Sequence, residues 1–348
     1  MNTLYKYYSD GFDVIDHLLN PAIKLATTES LNDPFEKQLS NDLAGKLAKN
    51  YSEKEQTPLA RSSYKKTYKE ISSQFGVVSL TETHRNILMW AYYANSHKGV
   101  CIGYKSNLFD DLSRIKHNNL HWKGIYFPER VIYDSQRFDP EKYNPELSDD
   151  ELIMQEMKKK SNDWIHEKEH RCIIPLFFSD ELLIIEKDNC EKNKKAKEML
   201  SLSEQRGHIT RIEKDENNHY SDNKKISRYK NLIEAHDSEN KTIECLSKHN
   251  EINFLKRIDI TSIDSIFIGS QCEQNTIDRI KEVIESDKKR YGHISVYHYH
   301  AHPNEYKLCF TPVANPKVLT DIGELLVEHE LDGFEYININ SNKNVQKQ

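Results

Sequence analysis

The segment 164–171 (WIHEKEHR) carries the residue types that most directly suggest chemistry, and its spacing fits two different active sites. If the segment is helical, His166 and His170 place two imidazoles one turn apart with Glu167 between them, as in zinc proteases. If it is a β-strand, Glu167 and Glu169 point to the same face, because strand side chains alternate with a period of two. A pair of carboxylates suits cleavage of a glycosidic bond through a cationic transition state.

The sequence that follows this segment favours the strand. Residues 172–178 form an apolar run that is typical of a strand, and Pro175 is a poor residue for a continuing helix. Two candidates for a third zinc ligand, Glu186 and Glu191, lie in polar sequence without a motif of their own. We therefore expect extended chain from residue 165 or 166 onward.

An extended chain would place Glu167, Glu169 and Arg171 in one polar row. Residue types alone leave a simpler interpretation open, a solvated strand edge on which Glu169 and Arg171 form an ion pair that contributes little stability. A zinc-dependent hydrolase that uses His166, Glu167 and His170 also stays open as an alternative. His298, His300 and His302 alternate along another strand and would form a row of three imidazoles suited to a metal ion, but an exposed, histidine-rich strand edge is the simpler interpretation.

The amino-acid composition argues against several classes of protein. The chain has 348 residues, 30% of them charged, with a formal net charge of -6 and a mean hydropathy of -0.79. This charge argues against a general nucleic-acid coating protein. No apolar run approaches the roughly 18 residues that span a bilayer, and six scattered cysteines without a C-x-x-C pair fit reduced thiols. We expect a cytoplasmic protein without a membrane segment, and no Rossmann or P-loop motif is present.

Hydrophobic periodicity predicts an α+β fold with a mixed or antiparallel sheet as its core and peripheral helices, because the elements do not alternate strictly. The predicted strands are 4–8, 23–27, 75–80, 100–104, 126–133, 172–178, 265–268, 294–300 and 307–311. The predicted helices are 41–73, 83–95, 149–163 and 274–286. In the turn at 31–36, Asp33 is predicted to cap a helical turn that begins at Pro34, with Glu36 at its third position.

Four sequence blocks occur together in a characteristic order. They are LYKY at 4–7, LNDPFE at 31–36, MWAYYA with HKGVCIG within 89–103, and the W-x-x-E-x-E-x-R row at 164–171. In these blocks, and in IFIG at 266–269, the chain resembles the bacterial family called domain of unknown function 2971 (DUF2971). The resemblance covers roughly residues 1–312.

The order of these blocks is also similar, more distantly, to that of ADP-ribosyltransferases. The similarity implies an ADP-ribosyltransferase-like fold with NAD as the substrate, Glu169 as the catalytic carboxylate and Glu167 as its partner on the acceptor side. Lys6 falls where those enzymes carry a first-strand His or Arg. The residues implied to bind NAD are Lys6, Tyr7, Asn32, Ser79, Thr81, Trp90, Tyr93 and Arg171.

The implied activity is ADP-ribosyl transfer or NAD glycohydrolysis, as in a bacterial toxin or phage-defence effector. The acceptor would be a protein, a nucleic acid or water. We expect a core domain at 1–187, a polar insertion at 188–250, a strand–helix–strand block at 251–312 that completes the core, and a tail at 313–348. A non-enzymatic alternative is an interaction protein that binds a partner through the insertion.

Overall fold

The computed structural model describes residues 3–51, 58–114, 124–139, 141, 144, 146–185, 190–212, 226–233, 237–316, 325–329 and 333–337. The chain forms two units, each assembled from separate stretches of sequence. The first unit comprises Met1–Pro21, Thr81–Leu108 and Asp259–Gln348, and the second comprises Ala22–Leu80 and Phe109–Ile258. Strands and α-helices are numbered below in chain order over both units.

The first unit contains a five-stranded sheet with strand order β1-β4-β13-β14-β15. These strands are β1 Thr3–Tyr8, β4 Val100–Lys105, β13 Ile263–Ile268, β14 Ser295–Ala301 and β15 Leu308–Ala314. Neighbours are antiparallel except for β13 and β14, which are parallel and are connected through two helices. The α-helices are α1 Val14–Leu19, α4 Ile87–Tyr93, α9 Gln274–Ser286 and α10 Lys288–Tyr291, and β16 Leu325–His329 pairs with β17 Gly333–Ile337.

Aromatic side chains fill the core of the first unit. Trp90 is fully buried and makes edge-to-face contacts with Tyr7 and Tyr299, at ring-centroid distances of 5.1 and 5.4 Å. His84 stacks on Phe267 at 3.6 Å. Such ring contacts add specific geometry to the apolar area that the rings bury.

The second unit contains a larger sheet with strand order β10-β11-β9-β12-β2-β3, and β8 pairs with both β3 and β5. The strands are β2 Ala22–Thr27, β3 Phe75–Thr81, β5 Ile125–Arg130, β8 Glu169–Pro175, β9 Glu181–Ile185, β10 Ile209–Ile212, β11 Ile226–Asn231 and β12 Ile252–Arg257. A short parallel pair joins β6 Ile132–Asp134 to β7 Lys159–Ser161. The α-helices are α2 Asn41–Tyr51, α3 Pro58–Ser72, α5 Asp110–Ser113, α6 Asp149–Glu156, α7 Glu191–Gln205 and α8 Asp237–Ser247.

The predicted α+β class is confirmed, and several elements agree closely with their predicted bounds. Helix α9 spans the predicted 274–286, and β2 and β3 lie within one residue of prediction. The predicted single helical region 41–73 consists of α2 and α3, and residues 52–57 between them lie outside the described part of the chain.

The segment 188–250, predicted as a polar insertion, contains four secondary-structure elements among its described residues. Its described residues form α7, β10, β11 and α8, and β11 pairs with β9 inside the sheet of the second unit. Polar residue types obscured this pattern, because β11 buries Ser227 and Tyr229 on one face while its other residues are more exposed. The division into a core domain 1–187, an insertion 188–250 and a block 251–312 stays a prediction.

Candidate functional site

The E-x-E row begins in a 3₁₀-helix and not in a strand, which corrects the expected extended chain from residue 165 or 166. The 3₁₀-helix spans Asn162–Glu167, and Ser161 caps it by accepting a hydrogen bond from the Asp163 N–H at 3.3 Å. Lys168 then adopts left-handed backbone angles (φ 46°, ψ 50°), and β8 begins at Glu169. Residues 162–167 are helical and not extended because they form a polar, capped turn that precedes the apolar run.

Glu167 and Glu169 nevertheless converge, because both bind the ammonium of Lys160. The Lys160 Nζ lies 2.5 Å from Glu167 Oε2 and 2.9 Å from Glu169 Oε2. It also lies 4.9 Å from the centroid of the Trp164 ring, a cation–π distance. Burial alone would lower the pKa of Lys160, but the charges of Glu169 and Glu167 raise it above its usual value. The tryptophan and both glutamates of the motif therefore surround one buried cation.

Arg171 is the second buried cation and is 1% exposed. Its Nε donates to Glu169 Oε1 at 2.7 Å, its Nη2 lies 3.1 Å from Glu169 Oε2, and its Nη1 donates to the carbonyl of Met157 at 2.7 Å. Nη2 also forms an ion pair with Glu36. The fork of donors on Arg171 thus joins the E-x-E row to the N-D-P-F-E block, two motifs that are 135 residues apart.

The N-D-P-F-E block forms a short 3₁₀-helix, Pro34–Lys37, in the predicted way. Asp33 caps it through Oδ1, which accepts from the Phe35 N–H at 2.8 Å, Pro34 stands at the first helical position and Glu36 at the third. Asp33 is 1% exposed, and no hydrogen-bond donor among the described residues reaches its second oxygen, Oδ2.

Tyr133 fixes the start of β8 beside these charges. Strand pairing places it opposite Lys160, and its hydroxyl accepts a hydrogen bond from the Glu169 N–H at 2.8 Å. Burial, as the largest influence, raises the pKa of Tyr133 to about 12. The phenol therefore stays protonated and neutral at physiological pH.

Among the described residues, this charged cluster joins three carboxylates to two cations, and the carboxylates differ in their proton affinity. Burial alone would raise the pKa of Glu169, but Arg171 and Lys160 hold it well below its usual range, and Ser79 adds a side-chain hydrogen bond. Burial raises the pKa of Glu36, and Arg171 offsets only part of this effect. Glu169 is thus a fixed anion, whereas Glu36 is the carboxyl more suited to proton exchange.

A cavity of about 270 Å³ adjoins this cluster, and Asp33, Glu36 and Lys160 form part of its wall. Glu156 and Lys159 contribute an ion pair of 2.5 Å. The complete lining consists of Asp33, Phe35, Glu36, Gln38, Leu39, Tyr68, Asp134, Ser135, Gln136, Arg137, Glu156, Lys159, Lys160 and Ser161. In the described part of the chain, Glu167, Glu169 and Arg171 contact the wall residues Glu36 and Lys160 but do not line the cavity themselves.

Arg137 lines this cavity and is exposed to solvent. Its Nη2 donates to the carbonyl of Phe35 at 2.8 Å and also to the carbonyl of Gln38. Its guanidinium lies 5.5 Å from the Phe35 ring centroid, and the Phe35 side chain remains 57% exposed. An exposed aromatic ring and a cation therefore lie side by side in the cavity wall.

The predicted NAD-binding residues are divided between the two units. Asn32, Ser79 and Arg171 lie in the second unit with the charged cluster, although Asn32 is exposed. The first unit contains Lys6, Tyr7, Thr81, Trp90 and Tyr93.

Most of the first-unit residues of this set are engaged locally. Trp90 donates from Nε1 to the carbonyl of His84 at 2.8 Å, and the Tyr7 hydroxyl donates to the carbonyl of Thr83 at 3.1 Å. Both rings belong to the aromatic core. The ammonium of Lys6 lies 5.9 Å from the centroid of the Tyr8 ring.

Several cavity residues escaped the sequence analysis. Lys160 is the most important, and its signal was faint, a lysine four residues before the motif tryptophan in a run of three lysines. Arg137, Glu156 and Tyr68 lie in segments without any recognisable motif. Asp33 and Glu36 were identified, but only as residues of a turn.

The zinc geometry does not form at the E-x-E row, because His166 lies in the 3₁₀-helix while His170 lies in β8. In the histidine row, His300 bonds Thr311 Oγ1 at 2.9 Å and His302 accepts from the Asn304 N–H at 3.1 Å. Among the described residues, no group of three or more His, Cys, Asp or Glu side chains is placed to hold a metal ion.

Residues 89–172 match a family model described as "Protein of unknown function (DUF2971)", which confirms the predicted resemblance. The matched segment includes Arg137, Glu156, Lys160 and the row from Glu167 to Arg171. No curated protein and no solved structure matches the chain. Each helix in the described ranges is too short or too polar to cross a bilayer.

Proposed function

We propose that the cavity is the substrate site of an enzyme that cleaves the N-glycosidic bond of NAD and passes ADP-ribose to an acceptor or to water. The observation that carries this proposal is the mixed charge of the cavity wall. Asp33, Glu36 and Glu156 offer negative groups, while Lys160 and Arg137 offer positive ones. NAD has matching features, a cationic pyridinium ring and an anionic diphosphate.

The chemistry would need few groups. The bond between ribose C1′ and the ring nitrogen breaks, and its electron pair neutralises the pyridinium as nicotinamide leaves. Positive charge builds on the ribose, and a carboxylate in a water-poor site stabilises this charge. The oxygen of water, or an acceptor atom, then bonds to C1′ and releases a proton to a carboxylate that acts as a general base.

Glu36 is the carboxylate that best suits the contact with the substrate. It lines the cavity, and its raised pKa favours proton exchange. Glu169, the catalytic residue implied by the family similarity, has both oxygens engaged by Arg171 and Lys160. We assign Glu169 and Glu167 to positioning, because they hold the two cations that orient Glu36 and the wall of the cavity.

The test is incubation of the full chain with NAD, with and without cell extract, followed by measurement of released nicotinamide. Glu36→Gln is expected to reduce turnover at least about 100-fold, the lower range for loss of a general acid or base. Glu36 forms a buried ion pair with Arg171, so the folded state of the variant must be checked beside its activity. A thermal melt checks this point.

Glu129→Gln is the matched control. Glu129 is an exposed carboxylate that forms an ion pair with Lys158 at 2.6 Å in the same unit, and turnover should be unchanged. Absence of nicotinamide release by the unmodified chain under both conditions would overturn the proposal. Equal turnover by Glu36→Gln and the unmodified chain would remove Glu36 from the mechanism.

The biological setting stays a prediction from the family similarity. The same holds for the ADP-ribosyltransferase-like fold, the role as a toxin or antiviral defence effector, the cytoplasmic location and a macromolecular acceptor. A protein partner bound through 188–250 is likewise proposed only, and β11 in that segment already pairs with β9.

A further inference from the structure

Asp33 combines three properties that point to a ligand contact. Its side chain is 1% exposed, it belongs to the wall of the cavity, and no donor among the described residues reaches Oδ2. Its other oxygen, Oδ1, is used as the cap of the Pro34–Lys37 turn. Capping therefore accounts for one oxygen of the carboxylate and leaves the second unexplained.

A buried acceptor without a partner opposes folding, because water has been removed and no protein group replaces it. A ligand that supplies a hydrogen-bond donor to Asp33 Oδ2 would remove this cost. A carboxylate oxygen accepts hydrogen bonds and donates none, so the ligand group must carry an N–H or O–H. It must also be uncharged or cationic, because an anion would be repelled in this buried place.

We infer that Asp33 recognises the carboxamide of the nicotinamide ring, an inference that rests on the function proposed above. The carboxamide NH₂ would donate to Oδ2, whereas the carboxylate of nicotinic acid could not. Asp33 would thus be a specificity-determining residue that selects NAD over nicotinic acid adenine dinucleotide, the otherwise identical molecule with a carboxylate on the ring.

The variant Asp33→Asn isolates this role. Asparagine is as good a cap as aspartate, so its oxygen can keep the bond to the Phe35 N–H. Its NH₂ group then takes the place of Oδ2, which exchanges an acceptor for a donor without a change of shape. The turn should persist, and the thermal midpoint should change little because one unpaired polar group replaces another of the same size.

The experiment compares kcat/KM for NAD and for nicotinic acid adenine dinucleotide in the unmodified chain and in Asp33→Asn. The unmodified chain is expected to prefer NAD at least about 100-fold, since sites built around a buried polar group reject ligands that leave it unpaired. Asp33→Asn is expected to shift the ratio at least about 100-fold toward the carboxylate substrate.

The outcomes separate the two proposals. No turnover of either dinucleotide by the unmodified chain overturns the proposed function and this inference with it. Turnover of NAD with the same ratio in both proteins overturns the role of Asp33 alone. If Asp33→Asn fails to fold, Asp33→Ser decides: it keeps a capping oxygen and lacks Oδ2, so the preference for NAD must fall, and an undiminished preference refutes the assignment.

Discussion

Arg171 shows how much a single buried residue organises in the second unit. Its guanidinium binds Glu36, Glu169 and a backbone carbonyl while only 1% of the residue is exposed. Removing one partner of such a buried pair typically costs about 3–5 kcal/mol, because the remaining charge stays buried and uncompensated. Glu169 and Glu36 are both buried partners of Arg171, so a variant of either residue needs a folding control beside the activity measurement.

His84 gives the first unit a dependence on pH that can be predicted in sign. Burial, together with the charge of Arg85, lowers the pKa of His84 to about 3, against 6.5 for an ordinary histidine. Its ring stacks on Phe267, and its Nδ1 lies 2.5 Å from the Tyr299 hydroxyl. The unfolded chain takes up a proton below pH 6.5 and the folded chain does not, so stability is lost as pH falls from 6.5 toward 3.

The expected contribution of His84 to this loss is up to about 1.4 kcal/mol per pH unit. Urea unfolding at pH 8, 7, 6 and 5 measures it in a range where carboxyl groups of ordinary pKa stay ionised. His84→Gln should flatten the dependence, whereas His302→Gln, at a loop position after β14, should leave it unchanged. An equal slope in His84→Gln and the unmodified chain would contradict a neutral, buried His84.

At the scale of elements, the junction between the 3₁₀-helix and β8 brings the two motif glutamates together. Lys168 has a positive φ of 46°, a conformation that costs a residue with a Cβ about 1–2 kcal/mol. One left-handed residue between Glu167 and Glu169 turns the chain so that both carboxylates bind Lys160. Strand alternation, the reason first expected for their convergence, is not the cause.

Substitutions at Lys168 test this junction. Lys168→Gly should change the free energy of unfolding by less than about 1 kcal/mol, because relief of the Cβ clash offsets the entropy of glycine. Lys168→Val should destabilise the protein by about 1–2 kcal/mol, because a β-branched residue is poorly tolerated at positive φ. The control is Lys105→Val, an exposed lysine at the end of β4, where an extended backbone accepts valine. Equal effects of valine at both positions would exclude strain at Lys168.

Elements with strong periodicity were predictable from sequence, and the cavity was not. Helix α9 and strands β2 and β3 carry apolar patterns that determine their bounds locally. The ion pair between Glu36 and Arg171 depends on how β8 pairs within its sheet, so it could not be predicted from a local sequence pattern. Lys160 and Arg137 are charged residue types typical of solvated surfaces, and only the folded chain reveals that the Lys160 side chain is buried and that Arg137 lines the cavity.

At the scale of the whole molecule, the interleaving of the two units limits where the chain can be divided. The chain passes between the units at residues 21/22, 80/81, 108/109 and 258/259, so neither unit is one continuous stretch. The sheet of the second unit needs β12, which lies between β9 and β2, and the sheet of the first unit needs β13 beside β4. A fragment 1–187 contains neither β12 nor β13, although it includes the whole segment that matches the family.

We therefore expect the fragment 1–187 to lack a cooperative unfolding transition, because two sheets would each lose an interior strand and expose their cores. A fragment 1–316 keeps β1 to β15 and should retain cooperative unfolding in urea. Circular dichroism and limited proteolysis of both fragments measure this difference. A fragment 1–187 that unfolds cooperatively and resists protease would show that the N-terminal half folds without β12 and β13, and would argue for 1–187 as an independent domain.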